Sequence, residues 1–211
     1  MRAPLRFRAV RAVLRLLLRG VFRVRVEGLD GLPAGPHLLA CNHLSWVDPF
    51  LLLAWLPASP RVHFIGRRSA IYNRRWKRWV LDVIGGVIPV ESGEIEHLTA
   101  AVRGVLERGG VVAIFPEGAV GPAEGGLMRL RHGVAHFAAV GGTPVVAVGL
   151  AGTHELWRGK AIAIRVGGTI QPTGAAAADL AAIEATMRAA LPPYREPTGA
   201  RPWPWLTTLL R

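Results

Sequence analysis

The sequence predicts an α/β fold: a single domain with a largely parallel central sheet flanked by helices, preceded by an amphipathic helix. Three observations predict it. Short strand-like runs alternate with helical patterns along most of the chain. The length of 211 residues suits one domain with a sizeable core. Two segments rich in chemistry, around His43 and Glu117, each follow a strand-like run directly. In such a sheet both would lie at the carboxyl edge, where α/β proteins keep their sites.

The elements follow in order. Residues 2–19 alternate arginine and apolar side chains at helical spacing, and no acidic residue precedes Glu27. Arg8, Arg11, Arg15 and Arg19 share one stripe, with Val10, Val13, Leu14, Leu17 and Leu18 opposite. This pattern predicts a helix at a membrane interface, arginines on phosphates and leucines among acyl chains. A helix packed on its own domain with solvated arginines is the alternative. Val21–Glu27 alternates like an edge or half-buried strand. Strand-like runs recur at Leu38–Cys41, Val62–Ile65, Val87–Val90, Val111–Phe115, Pro144–Leu150 and Ala161–Gly167. Helical patterns occupy Pro49–Leu56, Arg74–Ile84, Glu94–Arg108, His132–Val140 and Asp179–Leu191. Residues 1–20 thus read as a membrane-associating helix, 21–191 as the main domain and 192–211 as a Pro/Trp-rich tail. Trp203 and Trp205 in that tail suit either an interfacial anchor or a segment folded back on the domain.

Composition narrows the function. Hydrophobic residues make up 51% of the chain, yet no apolar run approaches the ~18 residues of a spanning helix. Arginines interrupt the N-terminal apolar stretch, so no secretory signal stands out. The expectation is a peripheral or monotopic membrane protein. The formal net charge is +12, and lysine occurs only at Lys77 and Lys160. Such a balance suits nucleic acid or anionic lipid. No zinc spacing, RNA-binding signature or helix-turn-helix pattern supports nucleic acid, which leaves lipid. Residues 61–79 carry Arg61, Arg67, Arg68, Arg74, Arg75, Lys77 and Arg78 around Trp76 and Trp79, without an acidic residue. That segment suits a membrane surface, a coenzyme A diphosphate or an acidic carrier protein. Cys41 is the only cysteine, which excludes an intrachain disulfide, and its place on an apolar strand reads as core. His132 and His136 are four apart but have no carboxylate near them in sequence, so no metal is expected.

The chemistry concentrates in Asn42-His43-Leu44-Ser45-Trp46-Val47-Asp48. Residues five apart on a continuous helix point about 140° from each other. His43 and Asp48 therefore meet only across a turn. Asp48-Pro49 supplies one, reading as an N-cap followed by proline at the first helical position. One Asp48 oxygen would cap that helix while the other holds the imidazole. A His held by a carboxylate can take a proton from a hydroxyl.

This H-x4-D arrangement, with Asn42 before it, resembles the glycerolipid acyltransferases of the 1-acylglycerol-3-phosphate (lysophosphatidic acid) type. Phe115-Pro116-Glu117-Gly118 matches the family's other main signature, and Gly86–Val90 and Thr143–Val148 resemble two further stretches. The resemblance covers about residues 20 to 170. It implies transfer of an acyl group from a thioester, acyl-CoA or acyl carrier protein, to a hydroxyl of a lysophospholipid or related lipid. It also implies no cofactor, no covalent acyl-enzyme, and a place at the cytoplasmic face of a bacterial inner membrane. His43 would be the base and Asp48 its orienting partner. Asn42, Glu117 and Gly118 would line the acceptor site, with Arg67, Arg68 and Arg131 as phosphate or donor contacts. The chain departs from the pattern at Ala119-Val120-Gly121, where the family has Thr-Arg-Ser, and at Ser92, where arginine is common. Those arginines would clamp a phosphate. Either other arginines replace them or the acceptor lacks a phosphomonoester. A non-catalytic membrane-binding protein that keeps the acyltransferase fold and a CoA-independent transacylase drawing on phospholipid remain alternative readings.

Overall fold

The computed structural model describes residues 3–71, 86–91 and 95–209. Seven strands form one sheet in the order β1-β7-β6-β2-β5-β3-β4. They are β1 (Arg23–Glu27), β2 (His37–Cys41), β3 (Val62–Arg67), β4 (Val87–Val90), β5 (Val111–Ile114), β6 (Val145–Ala151) and β7 (Ala161–Ile170). The five strands from β6 to β4 run parallel; β7 is antiparallel to β6 and parallel to the edge strand β1. Strands β2, β5 and β6 are buried along their whole length, as near-continuous apolar runs covered on both faces must be.

Helices α1 (Leu5–Val21) and α2 (Asp48–Trp55) cover one face. Helices α4 (Ile95–Glu107), α5 (Gly133–Gly141) and α6 (Ala176–Ala190) cover the other. A single turn α3 (Arg68–Ile71) follows β3, and a short α7 (Trp205–Leu209) ends the described chain. From β2 through α2 the chain steps toward β4; from β4 through α4 and from β5 through α5 it steps back. Right-handed crossovers in opposite directions put their helices on opposite faces. Alternate residues of β2 supply the two cores: Leu39 and Cys41 face α2, whereas Leu38 and Ala40 face α4 and α5. At Gly149 a β-carbon would stand 2.2 Å from the Ala190 carbonyl oxygen, so glycine is what lets α6 end directly on β6. The predicted helix Arg74–Ile84, with its arginines and tryptophans, lies outside the described residues, as does Ser92.

One expectation changes. Helix α1 does not divide into an arginine face and a leucine face. Phe7, Val10, Leu14 and Leu18 pack inward together with half-buried Arg11 and Arg15. Arg11 donates to the Leu53 and Leu56 carbonyls at the end of α2, and Arg15 lies 5.7 Å from the Trp55 ring. A cation on the orphan carbonyls of a helix C-terminus is favourable, which explains the inward turn. The outward face instead carries Leu5, Val13, Leu16 and Leu17, with Arg6, Arg8 and Arg19 exposed beside them. The tail folds back onto the loop between β6 and β7, with Thr207 Oγ1 accepting from Leu156 N–H at 2.8 Å, while Trp203 and Trp205 stay exposed.

Candidate active site

The carboxyl ends of β2 and β5 deliver the two signature segments side by side. Asn42 leaves β2 and is fully used there: its amide donates to the Leu150 carbonyl (3.0 Å) and accepts from Leu150 N–H (2.7 Å). It is buried and mimics a backbone partner for the end of β6. These two bonds tie the end of β2 to the end of β6 and set the height at which the next residue emerges.

That residue is His43. Its Nδ1 lies 2.9 Å from Asp48 Oδ2. The same oxygen accepts from Leu44 N–H (2.7 Å) and Ser45 N–H (2.8 Å). Asp48 N–H in turn donates to the Ser45 carbonyl (3.1 Å). The expected division of labour between the carboxylate oxygens is therefore wrong. Asp48 is the first residue of α2, Val47 holds the cap position, and no side-chain cap forms. Oδ2 folds the turn and holds the ring together, while Oδ1 has no hydrogen-bond partner among the described residues. The carboxylate is fully buried at the N-terminal end of α2, where the helix dipole favours negative charge. With the carboxylate Oδ2 accepting, Nδ1 is the donor of this contact, which leaves Nε2 as the ring's outward nitrogen. The His43 side chain is 18% exposed against 0% for Asp48, so the ring joins a buried anion to the open edge.

Glu117 is the second anchor. One oxygen accepts from His43 N–H at 2.9 Å, the other from Met128 N–H at 2.8 Å. Glu117 thus ties the end of β5, the His43 backbone and the following loop into one frame. Its burial raises its pKa above the ordinary carboxylate value, and the two N–H donors oppose that rise. Phe115 stacks on the His43 ring at 4.2 Å, and Gly121 N–H donates to the His43 carbonyl at 2.7 Å. Gly118 adopts φ +70°, and a β-carbon there would stand 2.2 Å from Arg131 Nε. The exposed Arg131 side chain therefore lies across Gly118, beside Glu117. Arg67 and Arg68 are exposed at the end of β3, and Arg68 Nε pairs with Glu91 at 2.8 Å.

Sequence reasoning missed the roles of Phe115, Gly121 and Met128. Phe115 stood within the quoted signature; the other two act through backbone N–H groups, which carry no side-chain signal. Cys41 is buried, and its thiol is pushed far up by burial and by the Asp48 charge, which disfavours a thiolate. A cavity of about 230 Å³ lined by Leu32, His37, Leu39, Leu56 and Val62 opens at the opposite, amino edge, away from this constellation.

A buried carboxylate holding a partly open imidazole defines a candidate acid–base site, and comparison with known proteins names the family. The family model described as Acyltransferase matches residues 23–151. The chain belongs to the Acyltransferase family. It is similar to a 1-acyl-sn-glycerol-3-phosphate acyltransferase of Neisseria meningitidis serogroup B, 34% identical over 144 residues, covering 63% of this chain and 52% of the relative. It is also similar to one from Cocos nucifera, 31% identical over 128 residues, covering 59% and 40%. The match thus spans about half or less of the length of these curated relatives. The crystal structure of the 1-acyl-sn-glycerophosphate acyltransferase PlsC from Thermotoga maritima superposes with a TM-score of 0.71 at 17% identity, over 87% of this chain and 78% of that one. That likeness concerns the fold.

Proposed function

We propose that the protein transfers a fatty acyl group from an acyl thioester, acyl-CoA or acyl carrier protein, to the hydroxyl of a lysophospholipid or related lipid. The observation that carries this reading is the Nδ1–Oδ2 contact of 2.9 Å between a partly open imidazole and a fully buried carboxylate. His43 Nε2 takes the acceptor's proton as its oxygen attacks the thioester carbonyl. Asp48 stabilises the imidazolium that forms, and the thiolate leaves with the proton returned from His43. No nucleophile of the protein is needed, in keeping with the buried Cys41. In this reading Arg131, which lies over Gly118, meets an acceptor phosphate, with Arg67 and Arg68 at the end of β3 as donor or headgroup contacts. Glu117 and Gly118 shape this side of the site.

The test is thiol release from acyl-CoA with a panel of lyso-lipids. Wild type should turn over with at least one acceptor, and His43→Ala should fall by about a thousand-fold or more. Equal rates for both proteins would end the enzyme reading.

The working location is a membrane surface, at the cytoplasmic face of a bacterial inner membrane. Among the described residues no helix is long and apolar enough to span a bilayer. The exposed Leu5, Val13, Leu16 and Leu17 on α1, with arginines alongside, match an interfacial helix. Replacing Leu16 and Leu17 by Asp should lower partitioning onto anionic vesicles about ten-fold or more. Unchanged, salt-insensitive binding would count against α1 as that element.

A further inference from the structure

The described C-terminal tail is held at many points yet leaves its largest apolar side chains uncovered. Lys160, wholly buried, lies 3.5 Å from the Trp157 ring and donates to the Tyr194 hydroxyl at 2.5 Å and to Glu196 at 3.4 Å. Arg201 bridges Glu155 and Glu196 and lies 4.8 Å from the Trp157 ring. Arg158 N–H donates to the Pro202 carbonyl, Thr207 bonds both backbone groups of Leu156, and Leu206 is buried in the α1–α2 core. After this clasp the backbone takes an unusual step. Trp203 has φ +59°, a left-handed conformation that a bulky residue rarely adopts. The result is an outward platform: Trp203 and Trp205 with ring centroids 6.2 Å apart, 44% and 54% exposed, next to Leu209 at 55%. Arg158 stands 4.8 Å from the Trp203 ring.

The position of this platform identifies its occupant. The loop that holds the tail follows β6, so it lies at the carboxyl edge, the edge that carries His43. Gly159 N–H donates to the Val21 carbonyl, which joins the loop to the last turn of α1. The indoles therefore adjoin the end of the helix whose outward stripe is apolar, with Arg19 and Arg195 exposed nearby in the chain. Indole beside leucine, bordered by guanidinium groups, is the chemistry of the headgroup boundary.

We propose that Trp203, Trp205 and Leu209 form a second bilayer-contacting element which, together with α1, seats the carboxyl edge against an anionic lipid surface. The clasp around Lys160 fixes the direction of the platform, so the His43 edge faces the layer that holds the acceptor. This proposal rests on the reading of the acceptor as a membrane lipid, but its test needs no turnover and so fails separately.

The full chain is floated with vesicles of phosphatidylglycerol and phosphatidylcholine. Trp203→Asn combined with Trp205→Ser should lower the partition coefficient about ten-fold or more, with the urea unfolding midpoint unchanged. Asn tolerates the left-handed backbone, which protects the fold. As a second readout, Trp205→Cys carries a polarity-sensitive fluorophore, with buried Cys41 inaccessible to label. Its emission should shift to the blue when vesicles are added. Unchanged partitioning, or an emission that vesicles do not move, overturns the proposal. So does a lipid-free dimer in sedimentation that the double variant dissolves, since the platform would then be a contact between copies.

Discussion

The His43–Asp48–Glu117 frame and the arginine surface beside it occupy the same edge of the sheet but are built in opposite ways. In the frame, anchoring runs through backbone: Asp48 Oδ2 takes two N–H groups besides the ring, Glu117 takes two, and Asn42 takes both groups of Leu150. On the surface, Arg67 and Arg131 are exposed, and Arg68 has an ion pair with Glu91 that is open to solvent on both sides. Asp48 and Glu117 are buried and each accepts from two backbone N–H groups, so the geometry of the frame is held from several sides. Exposed arginines are long and solvated, so on the proposed reading acceptor selectivity can drift while the frame stays fixed. The departure from the family pattern at Val120, which is exposed, belongs to the second class of feature.

After His43→Ala, the largest effect should come from Asp48→Asn. Its carbonyl oxygen can still accept from Leu44, Ser45 and His43, so the turn survives, but the negative charge that stabilises the imidazolium is lost. The expected fall in kcat is about a hundred- to a thousand-fold with KM little changed. Asp48→Ala instead orphans two buried N–H groups, and each costs about 1–3 kcal/mol of stability. If Asp48→Asn matched wild type in kcat, the carboxylate would be only a turn-former.

Glu117→Gln comes next. An amide can accept from His43 N–H or Met128 N–H, but not from both on separate oxygens, so about 1–3 kcal/mol should be lost. The pH dependence is specific. Because the folded pKa is raised, the folded state holds its proton more tightly than the unfolded chain. The stability associated with Glu117 is fully present below the ordinary value of 4.5 and declines as pH rises through the raised one. In urea denaturation, the advantage of wild type over Glu117→Gln should shrink as pH rises from 4.5 toward neutrality. A difference that grows with pH would show that the two N–H bonds outweigh burial.

Smaller effects sharpen the surface side. Arg131→Ala should raise KM about ten-fold for a phosphorylated acceptor and leave a neutral lipid acceptor unaffected, as expected for a lost charge-assisted contact. Arg68→Ala, already paired with Glu91 in water, should change KM by less than about two-fold. The reverse ranking would place the headgroup at the end of β3. Smallest of all, Cys41→Ala should leave kcat unchanged at a stability loss of about 1 kcal/mol; an inactive variant would revive a cysteine nucleophile.

The contrast also explains what the sequence made legible. All seven strands were readable from short apolar or alternating runs, and the His–Asp turn from a spacing that no continuous helix satisfies. The inward turn of Arg11 and Arg15 was not, because α1 has apolar residues on both sides and a helical wheel cannot say which side meets α2. Nor were the partners of Glu117, which lie 74 residues back and 11 ahead and use backbone donors. The Asp48 oxygen was assigned to the helix because Asp-Pro reads as a cap; the turn's own N–H groups, nearer in space, won it instead.

The central claim is that His43 activates the acceptor's hydroxyl for direct attack on the thioester. Rapid-mixing measurement of thiol release with acyl-CoA alone, then with lyso-lipid added, tests it most directly. The account predicts no stoichiometric burst without acceptor, and release with acceptor that His43→Ala abolishes. A full burst before acceptor is added, surviving in His43→Ala, would contradict it.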